Sequence, residues 1–165
     1  MFFPFPARGG GRTKAIAHLP SADDDEDAEA VRSFVRGLAL DRRAPEAAKS
    51  AYREVLRRDP TAVPAMVNLG RLEHASGNLE EAEDLYHRAL SVDPSDRVAA
   101  FNLAVLAEDR GDAKGAVKRY HHALQVAPDM ADAHHRLAQL YRQLGKREAA
   151  QRHAKLYRSL VRRKG

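Results

Sequence analysis

Pro60, Pro94 and Pro128 stand 34 residues apart, and four other residue types keep the same interval. They are Tyr52, Tyr86 and Tyr120; Ala48, Ala82 and Ala116; Leu69, Leu103 and Leu137; and Gly77, Gly111 and Gly145. A period of this length indicates supersecondary units that bury their apolar faces only by stacking on their neighbours. The register divides the chain into repeats 29–62, 63–96, 97–130 and 131–164, after an arm of residues 1–28.

Each unit reads as two amphipathic helices. In the second unit Met66, Leu69, Gly70 and Leu72 precede Gly77-Asn78, and Leu79, Ala82, Leu85, Tyr86, Ala89 and Leu90 then recur at the spacing of one helical face. Gly77 suits the left-handed residue that ends a helix, and Asn78 is placed to cap the next, with Glu81 at its third position. Asp93-Pro94 stops the second helix, because proline donates no N–H and disfavours a helical residue before it. Small residues at Gly70, Ala82, Ala104 and Ala116 let backbones approach, and Tyr86 and Tyr120 fill the space between hairpins.

Composition narrows the chemistry. The chain of 165 residues has no cysteine and no tryptophan, which removes disulfides, Cys-based metal centres and thiol nucleophiles. No run of about 18 apolar residues is present to span a bilayer. Pro4, Pro6 and Gly9 to Gly11 interrupt any secretory h-region, so a cytoplasmic location is expected. Residues 21–29 hold six acids, residues 131–165 hold ten basic against two acidic residues, and the middle of the chain balances. The arm of residues 1–28, acidic run included, lacks helical or strand periodicity and is expected to be disordered.

The motif set resembles the tetratricopeptide repeat family. Residues 63–96 carry Leu69-Gly70, Gly77, Ala82, Tyr86, Ala89 and Pro94, and residues 97–130 carry Leu103-Ala104, Gly111, Ala116, Tyr120, Ala123 and Pro128. The first unit has Arg43 at the turn glycine and Val55 at the second alanine; the fourth has Ala154 at the aromatic position and Tyr157 at an alanine. Departures at both ends look like capping repeats. The resemblance implies an all-α fold, a right-handed α-α superhelix of about four hairpins, with a concave groove lined by the first helix of each pair.

Carried over by register, the groove positions are Val67, Asn68, Arg71 and His74; Phe101, Asn102, Val105 and Glu108; and His135, Arg136, Gln139 and Arg142. In the family, Asn68, Asn102 and Arg136 occupy a position that holds the backbone of an extended peptide. Val67, Phe101 and Val105 read as an apolar centre and Arg71, Arg136 and Arg142 as carboxylate partners, so an acidic-hydrophobic peptide is the expected ligand. The variant that clamps a chaperone C-terminus is not expected, since Val67, Arg71, Asn102, Asp132 and Arg136 give two matches of five.

Other constellations carry little. His121-His122 and His134-His135 are adjacent pairs whose rings point about 100° apart on a helix, so neither pair chelates a metal from one face. Gly9 to Lys14 lacks the features of a phosphate loop, and no residues are placed as nucleophile, base and orienter. Neither metal nor cofactor is expected, and no catalysis. The last helix carries Arg147, Arg152, Lys155, Arg158, Arg162 and Arg163, which suits a solvated cap, an acidic protein partner or nucleic acid. The expectation is a protein-binding scaffold, monomeric or weakly dimeric and without a membrane partner. The alternative is an accessory subunit of a bacterial transcriptional regulator or nucleic-acid-associated complex.

Overall fold

A computed structural model of the chain describes residues 25–163 and shows eight helices among them, without strands. They are α1 Asp25–Leu40, α2 Pro45–Arg58, α3 Val63–Ala75, α4 Leu79–Val92, α5 Arg97–Asp109, α6 Ala113–Val126, α7 Ala131–Gln143 and α8 Arg147–Arg162. Consecutive pairs form four antiparallel hairpins, and each hairpin packs on the next through α2·α3, α4·α5 and α6·α7. α3 also touches α5, first helix to first helix, which puts the first helices on the inside of the stack. The register assigns residues 25–28 to the arm, but α1 takes them in. An acidic stretch favours a helix N-terminus through the macrodipole. The expectation for residues 1–24 lies outside the described residues.

The repeat residues do what their spacing requires. Tyr52, Tyr86 and Tyr120 are fully buried, and so are Ala48, Ala82 and Ala116. Gly77, at φ 83°, makes the left-handed turn that an L side chain would strain. Asp96 caps α5 by accepting from the Val98 and Ala99 amides, and Asp112 caps α6 through Gly115. Asn78 behaves differently from expectation. It stands at the cap of α4, but its side chain makes no cap bond; Nδ2 donates to Glu73 at 2.6 Å, and Glu81 turns to Arg53. A buried carboxylate needs that donor more than a solvent-accessible helix end does.

The first hairpin departs from the register by one residue. A Cβ added at Gly70 would lie 2.7 Å from the Tyr86 ring, and one at Gly37 would lie 2.6 Å from the Tyr52 ring. Gly37 therefore sits where Gly70 sits, 33 residues earlier instead of 34. Burial follows the same shift, since Ala30, Ser33, Phe34 and Gly37 match Val63, Met66, Val67 and Gly70, all buried. With one residue fewer between helix and helix, the first turn needs no left-handed glycine, and Arg43 is accommodated there.

The shift explains how the array is closed. Leu69 and Leu72 are buried against the preceding hairpin, and their counterparts on α1 are Arg36 and Ala39, both exposed. At the other end, Leu56, Leu90 and Leu124 pack into the core, whereas Arg158 fills that position on α8 and is exposed. A helix with no neighbour on one side must present charge there to stay in water.

Candidate functional site

The expected groove residues all lie on the first helices, but in three different environments. Val67 and Phe101 are 8% and 6% exposed and sit in the core; Phe101 faces the tyrosine of its own hairpin, with the Phe101 and Tyr120 ring centroids 5.5 Å apart. Phe34 stands the same way against Tyr52 at 5.7 Å. These side chains belong to the core and do not form an open apolar anchor. Asn68, Val105 and Gln139 are half-buried, and Asn102 is buried with Nδ2 lacking a hydrogen-bond partner.

Most of the expected cations are already engaged across hairpins. Arg71 bonds Asp41, at the end of the first hairpin's α1. His74 Nε2 lies 2.8 Å from Asp109 Oδ2. Arg136 donates to Glu108 Oε1 at 3.3 Å, and Glu108 also accepts from the Tyr120 hydroxyl at 2.8 Å. Burial, the Glu108 charge and that hydrogen bond all push the Tyr120 hydroxyl up, so it stays a donor. Arg142 is exposed with no ion pair among the described residues. His135 packs its ring on Tyr157 at 4.8 Å.

Two residues at this face escape the 34-residue register. With the one-residue shift, Val35 and Leu38 on α1 take the places of Asn68 and Arg71, and they are 57% and 52% exposed. Arg42 and Arg43 follow them, exposed and without ion pairs among the described residues. The concave face is thus apolar at its first-hairpin end, internally neutralised in the middle, and cationic at Arg142. Counting from Gly37 and Tyr52, instead of from the turn, is the signal that finds Val35 and Leu38.

Outside the groove, charge is unevenly used. Glu83 on α4 holds Arg110 and, at 3.1 Å, Arg119; the Arg110 hydrogen bond overcomes burial and lowers its carboxyl. None of Arg147, Arg152, Lys155, Arg158, Arg162 and Arg163 forms an ion pair among the described residues. The histidines meet across helices and not within their adjacent pairs. His134 Nδ1 lies 2.9 Å from His153 Nδ1, and the His121 and His153 centroids are 5.5 Å apart. No group of acids and histidines among the described residues is arranged to hold a metal.

The model of the tetratricopeptide repeat family matches residues 39–106 and 107–159. The fold is similar to a crystal structure of MamA, with a TM-score of 0.75 at 18% identity over 92% of this chain and 85% of that one. It is also similar to Pseudomonas aeruginosa pilF, TM-score 0.74 at 21% identity over 84% of this chain and 64% of that one. A tetratricopeptide repeat protein from Parabacteroides merdae gives 0.71 at 22% over 78% and 52%. At such identities the likeness is one of fold: an α-α superhelical solenoid. No curated protein matches the sequence.

Proposed function

The chain belongs to the tetratricopeptide repeat family, and on that premise we propose that it is a non-catalytic scaffold that holds an acidic-hydrophobic segment of a partner protein along its concave face. The observation that supports this most is the exposure of Val35 and Leu38 on an inner-facing helix. Elsewhere on the first helices the large apolar side chains are buried or half-buried. Covering the exposed half of each contributes about 1 kcal/mol, by the usual value for apolar burial. Arg42 and Arg43, exposed just after α1, stand for the acids of the ligand, and Arg142 for acids at the far end. The expected centre at Phe101 thus moves to the first hairpin.

Labelled peptides in which apolar residues alternate with Asp or Glu test the reading by titration. Val35→Ser with Leu38→Ser should weaken binding at least tenfold while leaving thermal stability nearly unchanged. Unchanged affinity in that variant removes the concave face from consideration. The unpaired cations of α8 favour a second reading, an accessory of a nucleic-acid complex. Retardation of a labelled duplex at physiological salt, lost on charge reversal at Arg152, Lys155 and Arg158, would favour it. No helix among the described residues is long and apolar enough to cross a membrane, and a cytoplasmic location fits either reading. The arginines at both ends support a monomer, or a dimer no better than weak.

A further inference from the structure

We propose that His121, His134 and His153 form a proton-operated latch that holds α8 on the array while the rings are neutral and releases it on acidification. The three rings come from α6, α7 and α8 and meet at the final hairpin. His153 is the hub, with centroids 5.5 Å from His121, 5.2 Å from His134 and 5.6 Å from Tyr141, on which it stacks. His121 Nε2 is 2.7 Å from the Tyr141 hydroxyl. Ala150 alone among the α8 residues is buried, and the rest of its contact with α7 is half-buried, His153 included.

The hydrogen bonds fix how many protons the cluster tolerates. His134 Nε2 lies 3.2 Å from the Pro128 carbonyl, which only accepts, so Nε2 carries the proton and Nδ1 of the neutral ring is bare. His153 Nδ1–H donates to that bare nitrogen across 2.9 Å. When both Nδ1 atoms are protonated, two N–H groups face each other and the bond between α7 and α8 is gone. No carboxylate bonds any of the three rings among the described residues, so no anion within bonding distance offsets a charge placed on them. Arg152 on α8 adds a positive charge beside His153, and Lys146 in the α7–α8 turn lies over the Tyr141 ring at 6.0 Å.

Burial, reinforced by the His134, His121 and Arg152 charges, depresses His153 to about 4, and burial with His134 lowers His121. A histidine whose docked pKa lies below its free value of about 6.5 supports docking fully above that pH and less as pH falls towards 4. Within this window the released population rises about tenfold per pH unit for each proton taken up on release. The effect reaches the groove, because His134 adjoins His135 and Arg136, and α8 supplies the Tyr157 ring under His135.

The test is an NMR titration of the full chain from pH 7.5 to 4.5, following histidine ring signals and the amides of residues 147–163. The expected result is a His153 midpoint well below 6, with α8 amides changing together in the same range. His153→Asn keeps a donor near the Nδ1 position but takes no proton, so α8 should stay docked to a pH at least one unit lower. His121→Gln removes one cation-forming neighbour and should raise the His153 midpoint. An ordinary His153 midpoint, release of α8 at the same pH in wild type and His153→Asn, or a His153 midpoint indifferent to His121→Gln would each overturn the latch.

Discussion

Lys49 Nζ lies 3.2 Å from Glu73 Oε2, with the two side chains 3% and 0% exposed, and this pair joins α2 to α3. Glu73 also accepts from Arg53 at 2.6 Å and Asn78 at 2.6 Å, while Lys49 donates to Ser76 Oγ at 2.7 Å and reaches Glu46 at 2.9 Å. The network satisfies two charges that would otherwise be costly to bury. Removing one partner strands the others, so Glu73→Ala should destabilise by roughly 3 to 5 kcal/mol. The loss in Lys49→Met with Glu73→Leu should be smaller than the sum of the single losses, read by urea denaturation as a coupling between the two sites.

The same pair gives acid sensitivity a sign. Burial pushes the Glu73 carboxyl up, but hydrogen bonds from Asn78 and Lys49 and the Lys49 and Arg53 charges outweigh it and hold it below the usual range. Its contribution is therefore complete above the unfolded value of about 4.3 and is lost as pH falls through the lower folded one. Urea midpoints measured from pH 7 to pH 2.5 should fall less steeply in Glu73→Gln than in wild type over the last two units. Parallel curves would assign the acid limb to other carboxylates.

Three tyrosines in one repeat position should respond differently to loss of a hydroxyl. The Tyr120 hydroxyl donates to Glu108, while those of Tyr52 and Tyr86 are buried with no partner. Tyr120→Phe leaves a half-buried carboxylate short of a donor and should cost about 1 to 3 kcal/mol. Tyr86→Phe and Tyr52→Phe should be neutral or slightly stabilising, since each removes a buried group that no bond compensates. Equal losses at Tyr86 and Tyr120 in thermal melts would contradict the Glu108 bond.

The hairpins, the turn glycines and the buried tyrosines were legible because stacking requires the same residue at each interval. What the repeat hid was whatever broke it. Glu73 holds a buried charge where the register places Ala107 and Tyr141, and no spacing announces a partner on another helix. Val35 and Leu38 were masked by a single missing residue between Gly37 and Tyr52. Arg71 and Arg136 could be placed on the concave face from sequence, but not paired, because Asp41 and Glu108 belong to the preceding hairpin. The histidine cluster was missed for the same reason: adjacency within a helix says nothing about contacts between helices.

Gly37 tests the shifted register directly. An added Cβ there meets three atoms of the Tyr52 ring at 2.6 to 3.0 Å, and that ring is fully buried. Helix propensity alone would reward Gly37→Ala by up to about 1 kcal/mol. Overpacking against a ring that cannot move should reverse the sign, for a net loss of roughly 1 to 3 kcal/mol. Arg36→Ala, one residue away and exposed, should change stability by less than about 0.5 kcal/mol. A stabilised Gly37→Ala in urea denaturation would return α1 to the unshifted register.

The two closing arginines allow the ends to be opened by design. Inside the array Leu56 of α2 and Leu69 of α3 border the same cleft between neighbouring hairpins. Arg158 and Arg36 hold the corresponding positions at the outer faces of α8 and α1. Bringing those faces together in the wild type would set two guanidinium groups against each other out of water. Arg36→Leu with Arg158→Leu restores both leucines, and each end then matches the other in the way consecutive hairpins do. That contact is head-to-tail and need not close, so it should produce a concentration-dependent ladder of oligomers and not a single dimer. Being apolar, it should persist or strengthen in high salt. Sedimentation velocity at several concentrations reads the outcome against the wild type. A double variant that sediments as the wild type does would show that something other than Arg36 and Arg158 closes the array.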